Sequence, residues 1–311
     1  MRVVLARKLD GIDSLDVGEL PDPVPAAGQA LVRVRGAGVG LWDVGFLGGG
    51  LPGIALPFVP GQEIAGVVEA AGEGAGVQPG ARVYAVLFPA GGGFAELALA
   101  SADQLAPMPA SASFTEAAGL VISAGTAYEA LVDRGRVQAG ETVLITAAAG
   151  GVGSAAVQIA VAHGARALGV GSPANHDYLR GLGASEVFDY HAADWVQQVC
   201  AAVPGGVDVL LDYAGGQTRD EALGAVRDGG RACFIVLLLQ STPPQLERGI
   251  TGESFAAHGS RQRLEELARL VDAGKLRPQV EAVLPLDHAS EALARVKSRH
   301  ARGKVVLEIG E

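Results

Sequence analysis

The spacing of apolar residues changes twice along the chain. Up to about residue 115 the period is two. "ALVRVRGAGV" alternates apolar and polar positions, as a half-buried strand does. "EIAGVVEAAG" and "ARVYAV" are short β-branched runs, "VQPGARV" joins them through a Pro-Gly turn, and "GGGFAELALA" reads as another turn and strand. From about residue 117, strands and helices alternate. "ETVLITAA", "RALGVG", "SEVFDY", "VDVLLDYAG" and "RACFIVLLL" are predicted strands. "GSAAVQIAVAHG", "ANHDYLRGLG", "AADWVQQVCAAV" and "TRDEALGAVRDGG" are predicted helices between them. This alternation predicts an α/β, doubly wound parallel sheet with helices on both faces. The tail changes again. "RLEELARLVDAGKL" sets Leu264, Leu267, Ala268 and Val271 on one helical stripe that Gly274 ends, and the strands "VEAVLPLD" and "KVVLEI" flank the helix "HASEALARVKSRH". This block adds no strand–helix unit to the sheet.

The first strand–helix junction carries chemistry. Ala148-Ala149-Gly150-Gly151-Val152-Gly153 fits A-x-G-x-x-G and lies between a predicted strand and a predicted helix. There Gly150 lets backbone approach a pyrophosphate, Gly153 lets the helix pack on the strand, and the helix start offers free N–H groups. The competing reading is small-residue packing in a glycine-rich chain. At the end of the second strand an NAD site carries Asp or Glu for the ribose diol. This chain has Gly171-Ser172-Pro173-Ala174-Asn175-His176 instead, which favours NADP(H) over NAD(H) unless the run is an ordinary turn.

Composition narrows the classes. With 311 residues the chain has length for two domains, and its 49% hydrophobic and 19% charged content is that of a globular protein. A formal net charge of -10 disfavours nucleic acid and anionic membranes as partners. No run of about 20 apolar residues suggests a membrane helix, and the opening "MRVVLARKLDGIDSL" has no signal-peptide core. Two cysteines, Cys200 and Cys233, make no disulfide framework, so a cytoplasmic location is expected.

At this point an ordered set of motifs resembles a known family. "PFVPGQEIAGVVEAAG", "SAGTAYEAL", "VLITAAAGGVGSAAVQIA", "LGASEVFDY", "VDVLLDYAGG", "DGGRACFI" and "RGKVVLEI" are similar to the medium-chain dehydrogenase/reductase superfamily, in its zinc-free quinone oxidoreductase and enoyl reductase branch. The resemblance implies a Rossmann domain, residues 118–258, inserted in a mostly β, GroES-like substrate domain, residues 1–117 and 259–311. It also implies a cleft between the domains and a homodimer. Its NADPH-using members hold the 2'-phosphate with a Gly, a Lys and a Tyr; Gly171 and Tyr190 match, whereas Asn175 stands at the Lys position. Ser172 and Asn175 then replace charge with hydrogen bonds. The resemblance further implies cofactor contacts from Thr126, Gly150, Gly151, Val152, Gly153, Ala214, the backbone of Ile235, Val236 and Leu237, and Lys304, for which a solvated lysine is the alternative.

Zinc-bearing relatives carry a Cys near position 40 and a His in Gly-His-Glu; Gly40 and Gln62 stand there, and all six His lie beyond residue 160. No catalytic zinc is therefore expected, although Asp43 and Glu63 offer carboxylates. Many zinc-free relatives place an Asn near position 40 and a Tyr five residues on, where this chain has Gly40 and Gly45. The catalytic residues are therefore unknown. Asp43, Gln62, Tyr84 and Thr126 are the polar candidates, Tyr84 being equally a core residue. Trp42, Phe46 and Phe88 form an apolar substrate wall or belong to the core. "GFLGGGLPG" reads as a mobile loop over the cleft or as a plain turn. The expected activity is NADPH-dependent hydride transfer to a quinone or α,β-unsaturated carbonyl, with NADH the less favoured cofactor. The alternatives are an enoyl-thioester reductase of fatty-acid or polyketide synthesis, and an NADPH-binding sensor, structural or RNA-binding protein with little turnover.

Overall fold

The structure, a computed structural model, describes residues 1–235 and 244–310. The chain opens with β1 (Arg2–Ala6), β2 (Leu15–Glu19), β3 (Gln29–Val39), α1 (Leu41–Leu47), β4 (Glu63–Ala71), β5 (Arg82–Val86), β6 (Leu97–Ser101), β7 (Leu105–Pro107) and α2 (Phe114–Tyr128). There follow β8 (Thr142–Ile145), α3 (Gly151–Ala162), β9 (Arg166–Val170), α4 (His176–Gly181), β10 (Glu186–Phe188), α5 (Trp195–Ala202), β11 (Val207–Asp212), α6 (Gly216–Ala222), β12 (Val226–Ile235) and β13 (Thr251–Phe255). The last elements are α7 (Arg261–Asp272), β14 (Val280–Pro285), α8 (Ala289–Lys297) and β15 (Lys304–Glu308). Residues 1–125, 258–274 and 278–311 form one compact unit; residues 126–257 and 275–277 form another. No helix among the described residues is long and apolar enough to cross a membrane.

The second unit is a parallel sheet in the order β10-β9-β8-β11-β12-β13. The chain winds outward from β8 in one direction and then from β11 in the other. The crevice of such a sheet lies at the carboxyl ends of the strands where the order reverses, here β8 and β11. Leu144, Leu168, Phe188, Trp195 and Leu210 share one buried cluster on this sheet. Two local readings differ from the sequence pattern. The helix expected through Gly230 ends at Ala222, because Val226 instead pairs with Val207 and Arg227 binds Asp208 at 2.8 Å. Strand pairing thus overrides local helix propensity. The sixth strand, β13, is exposed at four of its five residues, so it has no apolar signature.

In the first unit a mixed sheet runs β14-β15-β3-β4-β5-β7, with β6 also on β3, and β1 and β2 pair separately. From Gly36 onward β3 is buried at every position. The stretch expected as a loop from Gly45 starts instead inside α1, and Gly48 closes that helix with its N–H on Val44 O at 3.1 Å.

An ionic knot ties three strand ends together. Lys304, opening β15, donates from Nζ to Glu63 Oε1 at 2.5 Å and to Val39 O, at the end of β3, at 2.7 Å. Glu63, opening β4, also accepts Ile122 N–H from α2 at 2.7 Å. Glu63 is 0% and Lys304 6% exposed. Gly38 sits opposite Glu63 in the ladder, and a Cβ there would come within 2.5 Å of the carboxylate carbon, so only glycine leaves it room. The Trp42 ring lies 4.7 Å from the ammonium, a cation–π distance. Asp43 completes the group. Its carboxylate accepts Gly40 N–H at 2.9 Å and Gly61 N–H at 3.1 Å. Burial pushes its pKa up to about 7 against those two N–H groups and Lys304, and Glu63 pushes the same way as burial.

Two outcomes are expected. Lys304→Met strands a buried carboxylate and lowers unfolding stability by about 3–5 kcal/mol, while adding Glu63→Gln recovers much of the loss; urea denaturation of both variants measures this. Asp43 ionises near 3.9 when unfolded and near 7 when folded. Between those values the folded state holds a proton that the unfolded state has lost, so this group makes stability fall as pH rises. Asp43→Asn flattens that slope in urea melts recorded between pH 4.5 and 8.

Candidate functional site

The glycine-rich run lies where the sheet order reverses. β8 ends at Ile145, and Gly150 precedes the first residue of α3 with no side chain capping the helix. The first N–H groups of α3 therefore have neither a helical partner nor a cap. Among the described residues a Cβ on Gly150 would meet only Ala147 O, at 3.5 Å, an ordinary contact distance. Gly153 is closely packed. A Cβ there would lie 2.4 Å from Ala147 O and 2.5 Å from the Ala148 Cα, so glycine is what seats α3 against the strand end. Gly151 and Val152 lie between them in the first turn of the helix.

The neighbouring strand ends supply the rest of this edge. Gly171 follows β9 and is held by its N–H on Phe188 O at 3.0 Å. Ser172 Oγ accepts Asn175 Nδ2–H at 3.2 Å, and His176 Nε2 lies 3.2 Å from Gly171 O. Tyr190, past β10, is exposed and stacks on His191 with ring centroids 4.0 Å apart. Two acids near this corner have partners of their own. Asp189 accepts the His191 N–H at 3.0 Å, and that bond leads in holding its carboxyl below the usual range. Asp177 pairs with Arg180 at 3.0 Å.

β8 and β11 are fastened together by a pair that sequence reasoning missed. Thr146 Oγ1 donates to Asp212 Oδ1 at 2.6 Å and accepts N–H from Tyr213 and Ala214. Asp212 also accepts Gly215 N–H at 3.1 Å, and burial raises its pKa. A carboxylate ending the apolar run "VDVLLD" was the available signal. Ala214 is exposed, with its N–H turned inward to this pair. Ile235 ends β12, half-buried beside Phe255. Val236 and Leu237 lie outside the described residues. Thr126 is buried in α2.

The candidates in the first unit separate by their contacts. Tyr84 is fully buried, and its hydroxyl donates to Leu264 O, which gives it a packing role. Lys304 is not a solvated lysine: its ammonium is engaged by Glu63 and Val39 O. Trp42 folds back over Gly40 so tightly that a Cβ at Gly40 would lie 2.1 Å from the indole. Gln62 is fully buried, and neither Nε2 nor Oε1 has a hydrogen-bond partner among the described residues. Among the described residues no group of three or more His, Cys, Asp or Glu is placed to hold a metal ion.

Comparison with known proteins follows this geometry closely. Residues 26–110 match the alcohol dehydrogenase GroES-like domain, and residues 182–307 match the zinc-binding dehydrogenase family. The quinone oxidoreductase of Sus scrofa is 33% identical over 92% of this chain and 90% of its own length. A crystal structure of an NAD-dependent alcohol dehydrogenase superposes with a TM-score of 0.92 at 31% identity, covering 100% of both chains. The CurK enoyl reductase superposes with a TM-score of 0.88 at 26% identity, covering 99% of both. With a GroES-like domain carrying an inserted Rossmann sheet, and a relative this similar along nearly its whole length, the chain belongs to the medium-chain dehydrogenase/reductase superfamily as an oxidoreductase related to the quinone oxidoreductases.

Proposed function

We propose that this protein is an NADPH-dependent reductase that passes hydride to a quinone or an α,β-unsaturated carbonyl without a metal. The observation that carries the cofactor choice is the neutral corner after β9. Ser172 and Asn175 bond each other where an acid would clasp the ribose diol, and Asp177 and Asp189 are engaged by their own neighbours. In this reading Gly171, Ser172, Asn175 and Tyr190 receive a 2'-phosphate through hydrogen bonds. The uncapped start of α3 takes the pyrophosphate.

A zinc does not fit the donor set of the first unit. Gly40 has no side chain and Trp42 fills the space one would need. Both Asp43 oxygens accept backbone N–H groups, and Glu63 is paired with Lys304. Without a Lewis acid at that place, reduction of an electron-poor carbon is easier to serve than oxidation of an alcohol. The nicotinamide, when bound, supplies the hydride. The protein's part is to align the acceptor, exclude competing reactions and stabilise the oxygen that becomes negative. For an enone, the hydride bonds to the β-carbon and the C=C electron pair moves through to the carbonyl oxygen. Water then gives a proton to the α-carbon. For a quinone, one hydride and one proton from water complete the hydroquinone.

The likeness to an enoyl reductase favours a second reading, reduction of an enoyl thioester. Turnover of a crotonyl thioester in the absence of any quinone turnover selects it.

NADPH titrated by its own fluorescence is expected to blue-shift and to bind at least about tenfold tighter than NADH, equivalent to ~1.4 kcal/mol. Equal affinities would remove the phosphate assignment. Ser172→Asp places a carboxylate where NAD sites carry one and is expected to reverse the preference. Overnight dialysis against a strong chelator is expected to leave the rate of quinone reduction unchanged, and a rate restored only by added zinc contradicts the metal-free step.

A further inference from the structure

Gln62 has no role in the frame around it, although its neighbours do. Gly61 gives its N–H to Asp43 and Glu63 pairs with Lys304. The Gln62 side chain is fully buried with donor and acceptor both unmatched, a state that native proteins resolve with a ligand or an ordered water. What lies against it is a turn. Leu87 N–H bonds Gln62 O at 2.8 Å, and Gly91 N–H returns to Leu87 O at 2.9 Å. Gly91 has φ 73°, and a Cβ there would stand 3.1 Å from Gln62 Nε2 and 3.0 Å from the Phe58 ring. The same turn carries Phe88, which is 39% exposed, and its ring centroid lies 6.1 Å from that of buried Phe46. An orphan amide donor and an apolar ring pair therefore share one turn.

We propose that Gln62 Nε2–H donates to the carbonyl oxygen of the hydride acceptor, that Phe46 and Phe88 flank its ring, and that the acceptor class is a planar cyclic conjugated carbonyl, a quinone or cyclic enone. This rests on the reductase reading above and names the residue that reading leaves unassigned. The acceptor reaches the amide by displacing the Leu87–Gly91 turn, whose glycine packs against Val59 O, the Phe58 ring and Gln62 Nε2. As the hydride brings two electrons and a proton to the acceptor, negative charge grows on its oxygen and the hydrogen bond from Gln62 strengthens. The amide is too weak an acid to give up its proton, so the proton that completes the product comes from water.

The test uses the full chain with NADPH and two acceptors, 1,4-naphthoquinone and the open-chain enone methyl vinyl ketone. Gln62→Leu is expected to lower kcat/KM for naphthoquinone by about 100-fold or more, the low end of the loss on removing one oxyanion donor. NADPH affinity by fluorescence stays unchanged, and the Tm is equal or higher because an unmatched polar group is gone. Phe88→Ala is expected to raise KM for naphthoquinone several-fold and to leave KM for methyl vinyl ketone near its original value. Full turnover by Gln62→Leu overturns the proposal. So does a loss of turnover that comes with a lower Tm, since that marks a core amide held by water. A wild-type protein that binds NADPH yet reduces neither acceptor sinks the reductase reading itself.

Discussion

The buried pair of Glu63 and Lys304 is the constraint around which the first unit is arranged. Two opposite charges out of water are tolerated only when every remaining donor and acceptor is matched. Here Val39 O and the Ile122 N–H complete the matching, so β3, β4, β15 and α2 all meet at one point. Glycine at position 38 follows from the volume of the carboxylate. The position of the indole follows from the ammonium beneath it. Asp43 then sits close enough to both charges to feel each of them. Removing the pair would take from Trp42 the ammonium its ring lies against.

The second unit reaches its order by a different route. Its centre is apolar throughout, and the polar work is confined to the strand ends. Thr146 and Asp212 join β8 to β11 at the place where the sheet changes direction, and their acceptors gather the N–H groups of residues 213 to 215. The neighbouring helix start is left unmatched. One strand end is thus satisfied by side chains, while the adjacent helix start has no side-chain cap.

Much of this was legible from residue order alone. Strand–helix alternation from "ETVLITAA" onward gives the sheet, and Gly153 lies where a Cβ would collide with the end of the preceding strand, as its packing task requires. The departures have physical causes. Residues 226–230 read as helix because their partner, Val207, lies far back in the chain. β13 is polar because it is an exposed edge. A solvated lysine was an open reading of Lys304 because nothing near it in the chain announces Glu63, 241 residues away. The Gln62 amide was visible as a residue but not as an orphan, since an unmatched donor is a property of what surrounds it.

Gly40 and Trp42 are coupled positions. With the indole 2.1 Å from where a Cβ would stand, the two positions cannot change independently. A thiol at position 40, as in the zinc-bearing proteins that the chain resembles, is barred until position 42 gives way. Position 42 is itself held by the charge at Lys304. A substitution at position 40 therefore has to be paired with one at position 42, a residue that answers to the ammonium beside it.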